Sequence, residues 1–237
     1  MNELPENAPD DVVYRYLRTT ISTLVTSAAE DIGDRTVPAC PEWTVRDLLA
    51  HLADIAALVT RRLGGEPDTD AESAAQHGSV RVVLDAWAVL GEQVASLIAG
   101  GGGHLMIMDA LSHELDLHRI LGTAPERGHP AFRNSLDVVV RGMGEHLAKH
   151  DVPALEVRAA GQRWSLGDGA PAATVTGADY DILRSFTGRR SSDQIRALDW
   201  SADPAPWIPA FTWAAFQPPA APTEPMAGED GLPRQWR

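Results

Sequence analysis

The sequence predicts an α+β chain: an N-terminal antiparallel helical bundle followed by a small α/β domain. Three observations predict it. Apolar residues recur at three- and four-residue steps through most of the first 150 residues, the period of a helix with one buried stripe. Near Asp151 the pattern changes to short alternating runs rich in glycine and turn residues, as strands require. No self-similar period of 20–50 residues is visible, which sets repeat architectures aside.

The elements follow in order. Residues 1–10 are polar, carry Pro5 and Pro9, and read as a loose tail. Val13, Leu17, Ile21, Leu24 and Ala28 then form one stripe of a first helix. "RTVPACPEW" interrupts it with Pro38 and Pro41. Thr44 is a good N-cap, and Asp47, three residues on, approaches a capping box. The second helix buries Leu48, Leu52, Ile55 and Val59. "GGEPDTDAESAAQHGS" reads as a long polar loop. A third helix carries Val80, Val83, Trp87, Leu90, Val94 and Leu97, and the run Gly100–Gly103 breaks the chain. A fourth spans His104 to Leu121 and stops at Gly122, a natural residue just past a helix end. A fifth follows Pro130, with Phe132, Leu136, Val140, Met143 and Leu147.

The first domain is therefore placed at 11–150 and the second at 151–237. In the second, "LEVRAAGQRWSLGDGAPAATVTG" reads as strands with a hairpin. "ADYDILRSFTGRR" reads as a helix with Ile182, Leu183 and Phe186 inside. The Pro-rich end, "PPAAPTEPMAGEDGLPRQWR", reads as an extended arm or as a disordered end.

Charge narrows the partners. A formal net charge of −13 and a pI near 4.9 argue against nucleic acid, whose binders neutralise phosphate with Lys and Arg, and against anionic membrane surfaces. Small molecules or other proteins are the expected partners. Cys40 is the single cysteine, so no intrachain disulfide forms, and it reads as a small packed residue. No signal peptide and no run of 18 apolar residues is read, so the cytoplasm is the expected location.

His51 is the residue that needs explaining. It lies among Leu48, Leu52 and Ile55 in helical projection, on or beside a buried stripe. An imidazole there needs a partner, because an unpaired buried polar group costs about 1–3 kcal/mol. One reading is a core histidine bonded to a carbonyl or a carboxylate. "MDALSHELDLHRILG" supports another: Asp109, His113, Asp116 and Ile120 fall on one stripe at i, i+4, i+7 and i+11. A carboxylate and an imidazole one turn apart offer a metal two ligands, and His51 from another helix offers a third. Three protein ligands with one open position is the catalytic zinc pattern. Asp116 then orients an imidazole, or is a surface acid.

Three segments carry a family resemblance. "VPACPEWTVRDLLAHL" resembles the N-terminal signature of the mycothiol-dependent maleylpyruvate isomerase family, VP-x-C-P-x-W-T-V-x-D-L-x-x-H-L. "SHELDLHRILG" resembles its later H-x-x-D segment. "ATVTGADYDILRSFTGRR" resembles its C-terminal V-x-G-x-x-x-D-L-L-x-x-x-x-G-R segment. The resemblance implies a DinB-like four-helix bundle holding a divalent metal, usually zinc, followed by a sterol-carrier-like α/β domain. It places the metal ligands on His51, Asp109 and His113, with Asp109 where the family has Glu. A carboxylate one methylene shorter reaches the metal directly, or through water, or not at all.

The implied activity is isomerisation or S-transfer on a small electrophile, with mycothiol as low-molecular-weight thiol cosubstrate. Trp43 and His118 are candidate contacts for that cosubstrate, and Arg189 and Arg190 for clamping an anionic substrate, with Asp116 counted among the catalytic groups. Trp43 as core packing, His118 beside Arg119 on a helix surface, and Arg189 with Arg190 as a surface pair are the plainer readings. Two other functions fit the same residues: a hydrolase acting through metal-activated water, and a non-catalytic binding module that lost the metal.

Overall fold

The computed structural model describes residue 4 and residues 8–124, 129–159 and 161–226. Most of the loose tail expected at 1–10, and the end of the arm beyond 226, lie outside the described residues. The fold is α+β, and the chain divides into two compact units, Met1–Ala131 and Phe132–Arg237.

In the first unit, α1 (Asp10–Thr26) buries Val13, Leu17, Ile21 and Val25. It ends at Thr26, so Val25, rather than Leu24 and Ala28, completes the stripe. A short 3-10 turn at Glu30–Asp34 leads into β1 (Thr36–Val37) and β2 (Cys40–Thr44), a small antiparallel ribbon where the two prolines had suggested only an interruption. Helix α2 (Val45–Arg62) follows. The stretch read as a polar loop folds into α3 (Thr69–His77), whose first turn is capped by Asp68 accepting from the Ala71 N–H at 2.8 Å. Only Ala71 and Ala75 are buried on it. Two alanines one turn apart bury too little apolar area to stand out as a stripe.

Helix α4 (Val80–Leu97) and helix α5 (His104–Leu121) complete the unit. Both α1 and α2 pack against α4 and α5, so these four close into a ring, with α3 laid on α2 and α4. Gly122 ends α5 at φ 66°, the left-handed position a side chain resists. Leu97 faces solvent, 42% exposed, although the periodicity had put it inside.

The second unit opens with α6 (Ala131–Lys149), which the periodicity had grouped with the bundle. Its partners explain its place there. The Trp164 indole donates to Asp137 at 2.7 Å, and a Cβ on Gly142 would meet the Trp213 ring at 2.5 Å. Strands β3 (Leu155–Ala159) and β4 (Gln162–Leu166) form the expected hairpin. β5 (Ala173–Thr176) runs parallel to β3, and β6 (Asp199–Trp200) pairs antiparallel with β5, giving the order β4-β3-β5-β6. Between β5 and β6 lie α7 (Asp179–Phe186) and α8 (Ser192–Arg196). The tryptophans pack their rings and still satisfy their N–H groups: Trp200 donates to Ile195 O, Trp207 to Pro153 O and Trp213 to Phe186 O. Among the described residues, no helix is long and apolar enough to cross a membrane.

Candidate metal centre

Helix α2 starts where Thr44 and Asp47 cap each other. Thr44 Oγ1 accepts from the Asp47 N–H at 3.2 Å, and Asp47 Oδ2 accepts from the Thr44 N–H at 2.9 Å. Those bonds, the backbone one first, hold the Asp47 carboxyl below the usual carboxylate range. The fixed start sets the phase of the helix. His51 then emerges two turns later at the edge of the buried Leu48–Leu52 stripe, its side chain 27% exposed.

Helix α5 brings the partners. From Met106 to His118 every residue but Asp109 is buried, so the one opening in that helix wall is a carboxylate. His51 Nε2 lies 3.3 Å from Asp109 Oδ2, and His113 Nε2 lies 3.7 Å from Asp109 Oδ1. One ligand atom from each of His51, Asp109 and His113 falls within 4.8 Å of the others. Among the described residues, no second trio of His, Cys, Asp or Glu meets that spacing.

The separations can be tested against a metal ion. Two ligand atoms on one tetrahedral ion, with bonds of about 2.0–2.1 Å, stand about 3.3–3.4 Å apart. Measured to the one oxygen Asp109 Oδ1, His51 Nε2 stands at 3.4 Å and His113 Nε2 at 3.7 Å, at or somewhat above that edge length, and both are longer than good hydrogen bonds between the same groups. The donor set therefore fits a divalent ion, and two imidazoles with a carboxylate suit zinc.

The surroundings orient these side chains. Asp116 is fully buried, and its Oδ2 lies 3.2 Å from His113 Nδ1. A carboxylate accepts, so Nδ1 is the nitrogen that donates to Asp116, and Nε2 is the nitrogen that faces Asp109. Trp43, from β2, lies against both rings: its centroid is 4.9 Å from that of His51 and 5.9 Å, near parallel, from that of His113. Tyr14 on α1 stands behind the site. Its hydroxyl accepts from the Trp87 indole at 3.1 Å, and burial, with a smaller push from the Asp109 charge, raises its pKa far above that of an ordinary phenol. Tyr14 was not singled out in the sequence, where it reads as one more residue beside the α1 stripe.

The other candidates separate. His118 belongs to a second buried group rather than to the His51 trio. Its Nδ1 lies 2.8 Å from Thr123 Oγ1 and its Nε2 3.6 Å from Glu114 Oε1, and His129 Nε2 reaches the same oxygen at 3.3 Å. Burial pushes the Glu114 carboxyl up, yet the two imidazoles outweigh it and hold it below the usual range. His118, expected at a cosubstrate contact, lies against Thr123 and Glu114 and is not brought to the His51 trio. No spacing rule flagged Glu114 with His129, because His129 lies beyond the end of the helix that carries Glu114.

Arg189 and Arg190 lie in the second unit and are buried, not free to clamp an anion from solution. Arg189 donates to Thr187 O at 2.7 Å. Arg190 is fully buried and spans Asp181, at 2.7 Å, and Glu224. A guanidinium with both its flanks filled by carboxylates has no fork left for a substrate.

Comparison with known proteins adds three findings. Residues 14–100 match the model of the mycothiol maleylpyruvate isomerase N-terminal domain. Two crystal structures of the mycothiol-dependent maleylpyruvate isomerase resemble the fold, each at 14% identity over 84% of this chain and 94% of that one. The histidine-to-alanine mutant superposes with a TM-score of 0.57 and the other form with 0.54. No curated protein matches the chain by sequence.

Proposed function

We propose, from the premise that residues 14–100 belong to the mycothiol maleylpyruvate isomerase N-terminal domain family, that the chain is a divalent-metal enzyme. It uses a low-molecular-weight thiol, mycothiol, to isomerise or conjugate a small electrophile. The observation that carries the reading is the convergence of His51, Asp109 and His113 on one point at ligand spacing, with Asp116 already bonded to the far side of His113.

Each residue has a stated part. His51, Asp109 and His113 would hold the ion, zinc being the best match to the donors. Asp116 is a positioning residue that fixes the His113 tautomer and ring angle. Trp43 walls one side with an apolar face and keeps water from that flank of the imidazoles. The half-exposed edges of His51 and Asp109 leave the opposite side open to a thiol and an electrophile. A divalent ion in this position supplies positive charge that favours thiolate, the reactive form of a thiol, at neutral pH. The thiolate adds to an electrophilic carbon. Loss of the thiol after bond rotation gives isomerisation, and its retention gives an S-conjugate.

Metal analysis of untagged protein is the decisive experiment. About one equivalent per chain is expected, and less than about a tenth would defeat the reading. His51→Ala should remove metal and thiol-dependent turnover while circular dichroism keeps its helical signal, since the apolar stripes are untouched. Absence of any response to mycothiol across an electrophile panel, with metal bound, would leave the metal centre and remove the thiol chemistry.

A further inference from the structure

The last turn of α6 carries a pair of imidazoles that the proposed reaction does not use. The segment from 145 to 151 reads "EHLAKHD", with His146 and His150 four residues apart. Side chains at that spacing stand one above the other on a helix face. His146 is half-buried and His150 exposed, and their ring centroids lie 4.4 Å apart with the planes tilted by 46°. The helix end holds the second residue in place. The N–H groups of His150 and Val152 both donate to Leu147 O, at 3.2 and 3.1 Å, and Asp151 between them takes the left-handed conformation at φ 53°.

The separation of two rings reflects the angle at an ion they share. An ion about 2.0–2.1 Å from one nitrogen of each of two imidazoles holds the ring centres roughly 4.5 Å apart at a right angle and roughly 5.2 Å apart at a tetrahedral angle. His51 and His113 stand at 5.2 Å, the tetrahedral value. His146 and His150 stand at 4.4 Å, close to the right-angle value. Right angles between neighbouring nitrogen and oxygen donors belong to tetragonal ions, Cu²⁺ and Ni²⁺. We infer that His146 and His150 form a second metal site, a two-imidazole chelate on the surface of the second unit that takes a tetragonal divalent ion, Cu²⁺ before Ni²⁺.

The charges around the pair support this. Glu145 and Asp151 flank it and outnumber Lys149, and the end of α6 presents the negative pole of the helix to a cation. Two ring donors leave the remaining coordination positions to water, as suits a site open to solvent.

The test uses the full chain carrying His51→Ala. That chain cannot complete the trio between α2 and α5, so the result is separate from the proposed function. Cu²⁺ is titrated at neutral pH and followed by electron paramagnetic resonance. One equivalent should bind with a tetragonal spectrum and two nitrogen donors. Adding His146→Ala or His150→Ala should weaken that binding at least about tenfold, the least that even an outer partner of a ligand is worth, and should leave one nitrogen. Adding His77→Ala, which removes an exposed histidine of α3, should change nothing. Ni²⁺ should follow the same pattern with lower affinity. Unchanged affinity without His146 or His150, or an equal loss without His77, would overturn the site. Where His146→Ala perturbs the fold, His150→Ala, exposed at the helix end, decides.

Discussion

Asp116→Asn isolates the contribution of ligand preparation. The substitution keeps size and shape in a fully buried position, so packing is preserved. It removes the negative charge that faces His113 Nδ1 and leaves a neutral amide oxygen in its place. Loss of an outer partner of a metal-bound histidine costs roughly 10–100-fold in metal affinity. The contact here is 3.2 Å, at the long end of the hydrogen-bond range, which argues for the lower half of that interval. The expected weakening is about 10–30-fold, or about 1.4–2 kcal/mol. Competition against a chromophoric chelator reads it directly. The metal-free Tm should move little, because the amide still accepts from Nδ1. An affinity within about twofold of wild type would refute the claim that Asp116 prepares His113.

Three further outcomes follow from other parts of the molecule. Thr44→Ala should destabilise the first unit by about 1 kcal/mol in urea unfolding, the ordinary cost of losing an N-cap. The Asp47 carboxyl is held low by Thr44, so its stabilising part is present above the unfolded value near about pH 4 and is lost as pH falls through the lower folded value. The Tm gap between wild type and Asp47→Asn should therefore be steady near neutrality and close in acid. Gly122→Ala should cost about 1 kcal/mol from backbone strain alone, since φ is 66° and nothing lies within 4 Å of an added Cβ.

What could be read in the chain and what could not divide along physical lines. Thr44 with Asp47, Gly122, and the spacing of Asp109 and His113 are local signals, set by a few residues on one helix, and each element formed where it was expected. His51 joins that pair only through packing of α2 on α5, which the family resemblance implied and no local pattern does. Helix α3 was missed because its buried residues are alanines. The domain boundary was placed some twenty residues late because the α6 stripe looks the same whether it faces helices or a sheet. What places it with the sheet is a set of distant partners, Trp164 and Trp213 among them. Arg189 and Arg190 read as available because sequence shows charge and hides burial. Glu224, the partner of Arg190, stands far along a stretch with little regular structure.

One consequence of the site's construction concerns the chain as a whole. His51 and Asp109 are 58 residues apart, and they meet only because α2 and α5 are neighbours in the helical ring. An unfolded chain offers no comparable point, so an ion that fits the trio favours the folded state by mass action. At a free concentration of 100 times the dissociation constant that preference is worth about 2.7 kcal/mol, a sizeable share of the roughly 5–15 kcal/mol that keeps a domain folded. The same three side chains that would run the chemistry would thereby couple the protein's lifetime to the supply of metal around it.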